Sequence, residues 1–312
     1  MSSAVFKRSP MYHYFISGLH VSSELELRGA IPREPRGETD DVSIRRGSVP
    51  LALDGATATG PTWDLAGDIF LLRVPRLIRF RIEAGRDIVF ETEPGFADCD
   101  AAGFVLGTAF GILLHQRGSL VLHGSAVAKD GRSIAICGYS GAGKSTLAAA
   151  LCGDGCSFVA DDICVVGLDG RQRPMILPDG RHLKLWKESI DHLGLAERRG
   201  RAVRESFAKY YVDPPDPHAQ PSPLSAVYVL REARPSLKEG VERLSLPDAM
   251  RTLDHEAYRP RFRAKLQPRP QTMAHVAAVL SRAKVFRLVR PRGFEHLQDT
   301  VAAVQAHWDS LG

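Results

Sequence analysis

The sequence predicts an α/β protein in two parts, a β-rich N-terminal domain over residues 1–103 and an α/β domain over residues 104–312. Three observations predict it. Short apolar or alternating runs, separated by Gly, Pro and Asp, fill the first hundred or so residues. From about residue 100 the order becomes helix-compatible segment, strand, strand, glycine-rich turn, helix, strand. That β–loop–α–β order is what strands buried beneath helices produce.

In the first part, VPLAL (49–53), DIFLLRV (68–74), LIRFRIEAG (77–85) and DIVFET (87–92) read as strands. Ile78, Phe80 and Ile82 alternate with Arg79, Arg81 and Glu83, a period of two that predicts a sheet with one wet face. The polar stretch 31–48, with its prolines and glycines, predicts a mobile loop. In the second part, residues 101–116 suit a helix despite their glycines. SLVLHGSAVA (119–128) reads as one buried strand and RSIAICG (132–138) as the next, joined by a turn at Lys129, Asp130 and Gly131. KSTLAAALCG (144–153) follows as a helix and SFVADDICVVG (157–167) as a further strand. The proline-rich run 213–223 reads as a surface loop before the strand LSAVYVLRE (224–232), and 293–308 as a closing helix.

Composition narrows the function. With 312 residues, a composition of 44% hydrophobic and 25% charged is ordinary for a soluble globular protein. No apolar run reaches the roughly 20 residues that span a bilayer. The longest, 104–114, is interrupted by Gly107 and Gly111. The N-terminus has no apolar signal core, so a cytoplasmic protein without membrane partners is expected. The cysteines Cys99, Cys137, Cys152, Cys156 and Cys164 show no CxxC spacing and are expected as reduced, buried thiols rather than zinc ligands. A net charge of +5 and a pI near 9.0 suit an anionic partner such as phosphate or an acidic peptide. Basic clusters at Arg198, Arg199, Arg201 and Arg204, and at Arg259, Arg261, Arg263 and Lys265, read as solvated faces. Neither is interleaved with stacking aromatics, so nucleic acid is not an expected partner.

The run GYSGAGKST (138–146) carries the chemistry. It matches GxxxxGK[ST] in full, between an apolar strand and an alanine-rich helix. Glycines let consecutive backbone N–H groups turn inward around phosphate oxygens, and the following helix adds the positive end of its dipole. The predicted nucleotide contacts are Gly138, Ser140, Gly141, Ala142, Gly143, Lys144, Ser145 and Thr146. Lys144 would reach the β- and γ-phosphates of ATP, and the Ser145 hydroxyl would ligate Mg²⁺.

Asp161 and Asp162 close the apolar run SFVA about one helix and one strand after that lysine. They are expected at the carboxyl end of a strand, where open α/β sheets place their ligands. One would hold Mg²⁺, and the other would accept the proton of an attacking hydroxyl. His123 lies in the strand before the loop, near enough to approach both if the two strands are neighbours. The chain contains no asparagine, which excludes the NKxD motif of many GTPases and the HRDxxxxN loop of eukaryotic-type protein kinases. No LSGGQ-like stretch points to a transporter ATPase.

LHG (122–124), GYSGAGKST (138–146) and VADDICVV (159–166), in this order, resemble the HPr kinase/phosphorylase family over roughly residues 105–190. The resemblance implies a P-loop kinase core related to PEP carboxykinase. It implies Lys144 and the loop amides on phosphates, Ser145 and Asp162 on Mg²⁺, Asp161 as base, and His123 supporting phosphate and Asp161. Tyr139 and Thr146 stand where that family usually carries Asp and Glu, and its EIRGLG signature is missing. In these respects the chain is more similar to the related branch that phosphorylates precursor peptides, including lasso peptides. YFISGLHVSSELEL (14–27) and LPDGRHLKLW (177–186) point the same way. The implied activity is an ATP- and Mg²⁺-dependent kinase acting on a serine hydroxyl of a peptide or protein. The β-rich region would assist recognition, Arg181, Lys184 and Lys209 are candidate phosphate contacts, and a homo-oligomer is a possible assembly. The competing expectations are an HPr kinase of carbon regulation, a small-molecule kinase, and a nucleotide-sensing module without turnover.

Overall fold

In the computed structural model, which describes residues 10–35, 39–204 and 207–311, the alternating run becomes a strand with Ile78, Phe80 and Ile82 buried and the intervening charges half-buried. The chain divides into two units. One holds the described residues up to Phe15 and Leu19–Leu113, the other Ile16–Gly18 and the residues from Leu114 on.

The first unit is built on β1 (Tyr12–Ile16), β2 (Leu19–Ser23), β3 (Val42–Arg46), β4 (Ala58–Gly60), β5 (Trp63–Ala66), β6 (Ile69–Val74), β7 (Ile78–Glu83) and β8 (Asp87–Thr92). These form one sheet in the order β1-β2-β3-β8-β7-β6-β5-β4. Two sequence expectations fail here. Residues 49–53 form no strand: Pro50 has no N–H to give a ladder. Val49 instead donates to Glu91 Oε2 at 2.7 Å and accepts from Arg79 Nε at 3.2 Å. The stretch 31–48, expected as a mobile loop, supplies β3, which is paired on both sides; residues 36–38 of it lie outside the described residues. The expected helix 101–116 is two, α1 (Asp98–Phe104) and α2 (Phe110–Gln116), joined by a π-helical turn, Val105–Ala109.

The second unit carries β9 (Leu120–Leu122), β10 (Gly124–Lys129), β11 (Arg132–Cys137), α3 (Lys144–Gly153), β12 (Ser157–Asp161), β13 (Cys164–Leu168), β14 (Pro174–Ile176), β15 (Leu183–Trp186), α4 (Lys187–His192), β16 (Arg199–Ala202), β17 (Lys209–Val212), β18 (Ser222–Glu232), β19 (Gly240–Arg243), α5 (Leu246–His255), α6 (Pro260–Leu266), α7 (Arg269–Leu280), β20 (Lys284–Arg290) and α8 (Leu297–Asp309). Its main sheet runs β12-β10-β11-β18-β14-β13-β9, with β20 also on β18 and β19 on β20. Inward positions alternate along the strands. Ile134, Ile136, Tyr228 and Leu230 face a core shared with α3 and α8, while Ala135, Cys137, Val227 and Val229 face one shared with α5 and α7. Four cysteines are buried as expected, but Cys99 is exposed.

Strand direction places the site. β11, β18 and β20 are parallel, and β10 is antiparallel to both β11 and β12. The carboxyl ends of β11, β12, β18 and β20 therefore share one edge with the amino end of β10. The two long strands expected from the sequence are each broken at that edge. Residues 119–128 split into β9 and β10 at His123, whose N–H goes to the Glu256 carbonyl at 2.8 Å. Residues 157–167 split into β12 and β13 at Asp162, whose φ is 71°.

Candidate functional site

The glycine-rich loop leaves β11 at Gly138 and enters α3 at Lys144. Gly138, Gly141 and Gly143 take φ values of 144°, 84° and 86°, a backbone that side chains resist. A Cβ on Gly143 would also sit 2.5 Å from Arg290 Nη2. Arg290, the last residue of β20, donates to the Ala142 carbonyl at 2.9 Å, which ties the loop to the end of β20.

Lys144 Nζ donates to the carbonyls of Gly138 (2.9 Å) and Tyr139 (3.2 Å) and lies 3.2 Å from His123 Nε2. An ammonium has only donors, so Nε2 accepts and the ring proton sits on Nδ1. Nδ1 then donates to the Asp162 carbonyl at 3.1 Å, with the Asp162 carboxylate 3.4 Å away. Burial holds the Lys144 ammonium below the usual lysine range, against the attraction of the nearby acids.

The two aspartates do different things. Asp161 is buried; its Oδ1 accepts from Ser145 Oγ and from Ser125 Oγ, both at 2.7 Å, and its Oδ2 from the Lys184 N–H at 3.1 Å. Asp162 faces the cleft and pairs with Lys184 Nζ at 2.9 Å. Burial pushes its carboxyl up, but Lys184 and His123 outweigh that and hold it well below the ordinary range. Lys184 is raised in return, burial being outweighed by Asp162.

These groups open on a cleft of about 610 Å³. The structure brings together there His123, Ser140, Gly141, Gly143, Lys144, Ser145, Thr146, Asp161 and Asp162. Gly138 and Ala142 shape the loop from behind. Thr146 Oγ1 lies 3.0 Å from Ser189 Oγ in α4. A side wall comes from the small sheet β15-β17-β16, in which Lys184 pairs with Tyr211 and Trp186 with Lys209. Lys184 and Lys209 line the cleft, with the Lys209 ammonium 5.7 Å above the Trp186 ring. Arg181 does not belong to it. Its side chain is buried, bonded to Asp179 at 2.6 Å and to Ser17 at 3.2 Å, so it is a structural ion pair rather than a phosphate contact. Arg263, expected on a solvated face, is buried against Asp254.

Three contributors escaped the sequence reading. Ser125 lies two residues beyond His123 on the partner strand of Asp161, a signal visible only once the register pairs Ser125 with Asp161. Arg290 and Phe294 come from RPRGF (290–294), whose Pro and Gly after an apolar run mark a turn at a strand's end.

The donors also suit a magnesium ion. Among the described residues no group of three His, Cys, Asp or Glu side chains forms a protein-only metal cage. Mg²⁺ rarely needs one, taking one or two carboxylates together with substrate phosphates. Ser145 Oγ and Asp161 Oδ1, oxygen donors in mutual contact at the loop's mouth, are of that kind.

No family model matches the chain, and no curated protein sequence matches it. Among solved structures it is similar to the HPr(Ser) kinase/phosphatase from Coxiella burnetii, at 12% identity and a TM-score of 0.33, over 61% of this chain and 97% of that one.

Proposed function

We propose that the chain is an ATP- and Mg²⁺-dependent P-loop kinase that phosphorylates a serine hydroxyl of a peptide or protein. One observation carries the reading: strand register gathers the complete glycine-rich loop, the Ser145–Asp161 pair and the Lys144–His123–Asp162–Lys184 chain at one sheet edge. A module that only bound nucleotide would have no use for a second, cleft-facing carboxylate in contact with that chain.

In this reading the loop amides and Lys144 cradle the phosphates, and catalysis is mainly positioning and charge neutralisation. Ser145 and Asp161 would hold Mg²⁺, which supplies positive charge to the phosphate oxygens. Asp161 already accepts three hydrogen bonds, so its geometry suits a fixed ligand better than a proton acceptor. Asp162, ionised and facing the cleft, takes the acceptor's proton as the oxygen forms its bond to phosphorus and the bond to ADP breaks. This exchanges the two roles that the family resemblance implies. His123 couples Lys144 to Asp162, and Lys184 keeps Asp162 ionised. A precursor peptide of the lasso type is the acceptor that the resemblance favours.

The test is transfer from γ-labelled ATP with Mg²⁺ to HPr, serine-ending precursor peptides and free serine. Label on a peptide serine, lost with Lys144→Ala, supports the reading. Label on HPr or free serine reassigns the acceptor. Nucleotide bound with no acceptor labelled leaves two readings, an acceptor outside this panel or a nucleotide-sensing module.

A further inference from the structure

The phosphate end of the cleft is accounted for by the loop, but a nucleoside triphosphate continues through ribose to a base, and no residue above receives it. The cleft has a second, apolar end. Beyond Thr146, in the first turn of α3, it is lined by Ser189, Phe294 and Leu297. The turn that delivers Phe294 is tightly specified. Arg290 is tied to the Ala142 carbonyl at 2.9 Å, Pro291 fixes its own φ, and Gly293 takes φ 121°. Phe294 is half-buried, and its ring stacks on His192 with centroids 4.7 Å apart and planes 27° apart. Leu297 beneath it is buried in the core. The ring is thus held in place from behind by a second ring while it still lines the cleft.

Resting on the nucleotide reading above, we infer that Phe294 is the stacking platform for the aromatic base of the nucleotide, held by the Arg290–Gly293 turn and the His192 ring. The link to the phosphate loop is covalent geometry: Arg290 that fixes the loop and Phe294 that faces the base lie in one five-residue turn. A base stacks on an aromatic face regardless of its hydrogen-bonding edge, so this platform adds affinity for nucleotides over bare phosphates.

Inorganic triphosphate separates the two ends of the site, because it engages the loop and has no base. Binding of Mg²⁺ with ATP and with inorganic triphosphate would be measured by calorimetry on the full chain and on Phe294→Ala and Phe294→Tyr. The expected result is an ATP affinity weakened about tenfold in Phe294→Ala. Triphosphate affinity stays unchanged, which also certifies the fold, and Phe294→Tyr restores ATP binding. Equal losses for both ligands would make Phe294 a structural residue and overturn the inference, as would no loss for either. A selective loss of ATP in Trp186→Ala instead, the exposed aromatic of the side wall, would overturn it too and move the base there. Wild-type protein that binds neither ligand would fail at the phosphate loop and sink the nucleotide reading itself. Wild-type protein that binds ATP no more tightly than triphosphate would sink the base platform alone.

Discussion

Asp161 and Asp162 are adjacent in the chain yet chemically far apart, because the backbone turns between them. Asp161 ends β12 in ladder geometry, so its carboxylate stays beside Ser125 on the paired strand and over Ser145 at the start of α3. Asp162, at φ 71°, swings its side chain toward Lys184 and His123. Removing charge from each should therefore produce different kinetic phenotypes. Asp162→Asn is expected to lower kcat about a hundredfold or more, the scale of a lost general base, with ATP affinity nearly unchanged. Asp161→Asn is expected to raise the Mg²⁺ concentration needed for half-maximal rate, because an amide is a poorer ligand for a hard cation. Rates of both variants across a magnesium titration decide it. If Asp161→Asn lost kcat at unchanged magnesium demand and Asp162→Asn shifted that demand, the two roles would be reversed.

At the scale of elements, register rather than proximity in sequence assembles the site. Gly124 lies opposite Cys137, and Ser125 opposite Asp161, so a single displacement of β10 would move His123 and Ser125 together. Gly124 permits that register: a Cβ there would fall 2.6 Å from the Ile136 carbonyl oxygen and 3.1 Å from Cys137 Sγ. Gly124→Ala should cost about 1–3 kcal/mol through overpacking. It should also lower the transfer rate, since β10, which directly follows His123, must shift. The urea midpoint and kcat of this variant check both parts, and an unchanged midpoint would show that the approach of β10 to β11 is not close. The same strands mark what a sequence can disclose. The helix 144–153 was legible because the motif fixes its start and the alanine-rich run sustains it. The breaks at His123 and Asp162 were not, since both interrupt apolar runs without proline and depend on partners distant in the chain, such as the Glu256 carbonyl. Arg181 was misread for a related reason: a buried arginine reads as a surface one until Asp179 and Ser17 are seen around it.

At the scale of the whole molecule, pH tests the packing of the second unit through a residue that does not line the cleft. His115, in α2, is fully buried; its Nε2 donates to the Tyr258 carbonyl at 2.8 Å and its own carbonyl accepts from Gln267 Nε2 at 3.1 Å. Burial pushes its imidazole down to about 4, so the folded protein holds it neutral. In the unfolded chain the same ring takes up a proton near its ordinary value of about 6.5. The unfolded state then binds the extra proton, so the contribution is complete above about 6.5 and is lost as pH falls toward about 4. At pH 5 the loss should be about 2 kcal/mol relative to pH 7.5. Asp162 acts in a different window: with its carboxyl held low, its contribution persists down to the unfolded carboxylate range and is lost only below about 4. Urea midpoints at pH 7.5 and 5 therefore report on His115, together with His275 and His307, whose imidazoles burial also holds low, and not on the cleft-facing carboxylate. His115→Gln should lower the midpoint at pH 7.5 while flattening its slope between the two pH values. A wild-type midpoint that did not move between them would mean that the ring reaches water or a carboxylate in the fold, contrary to its burial.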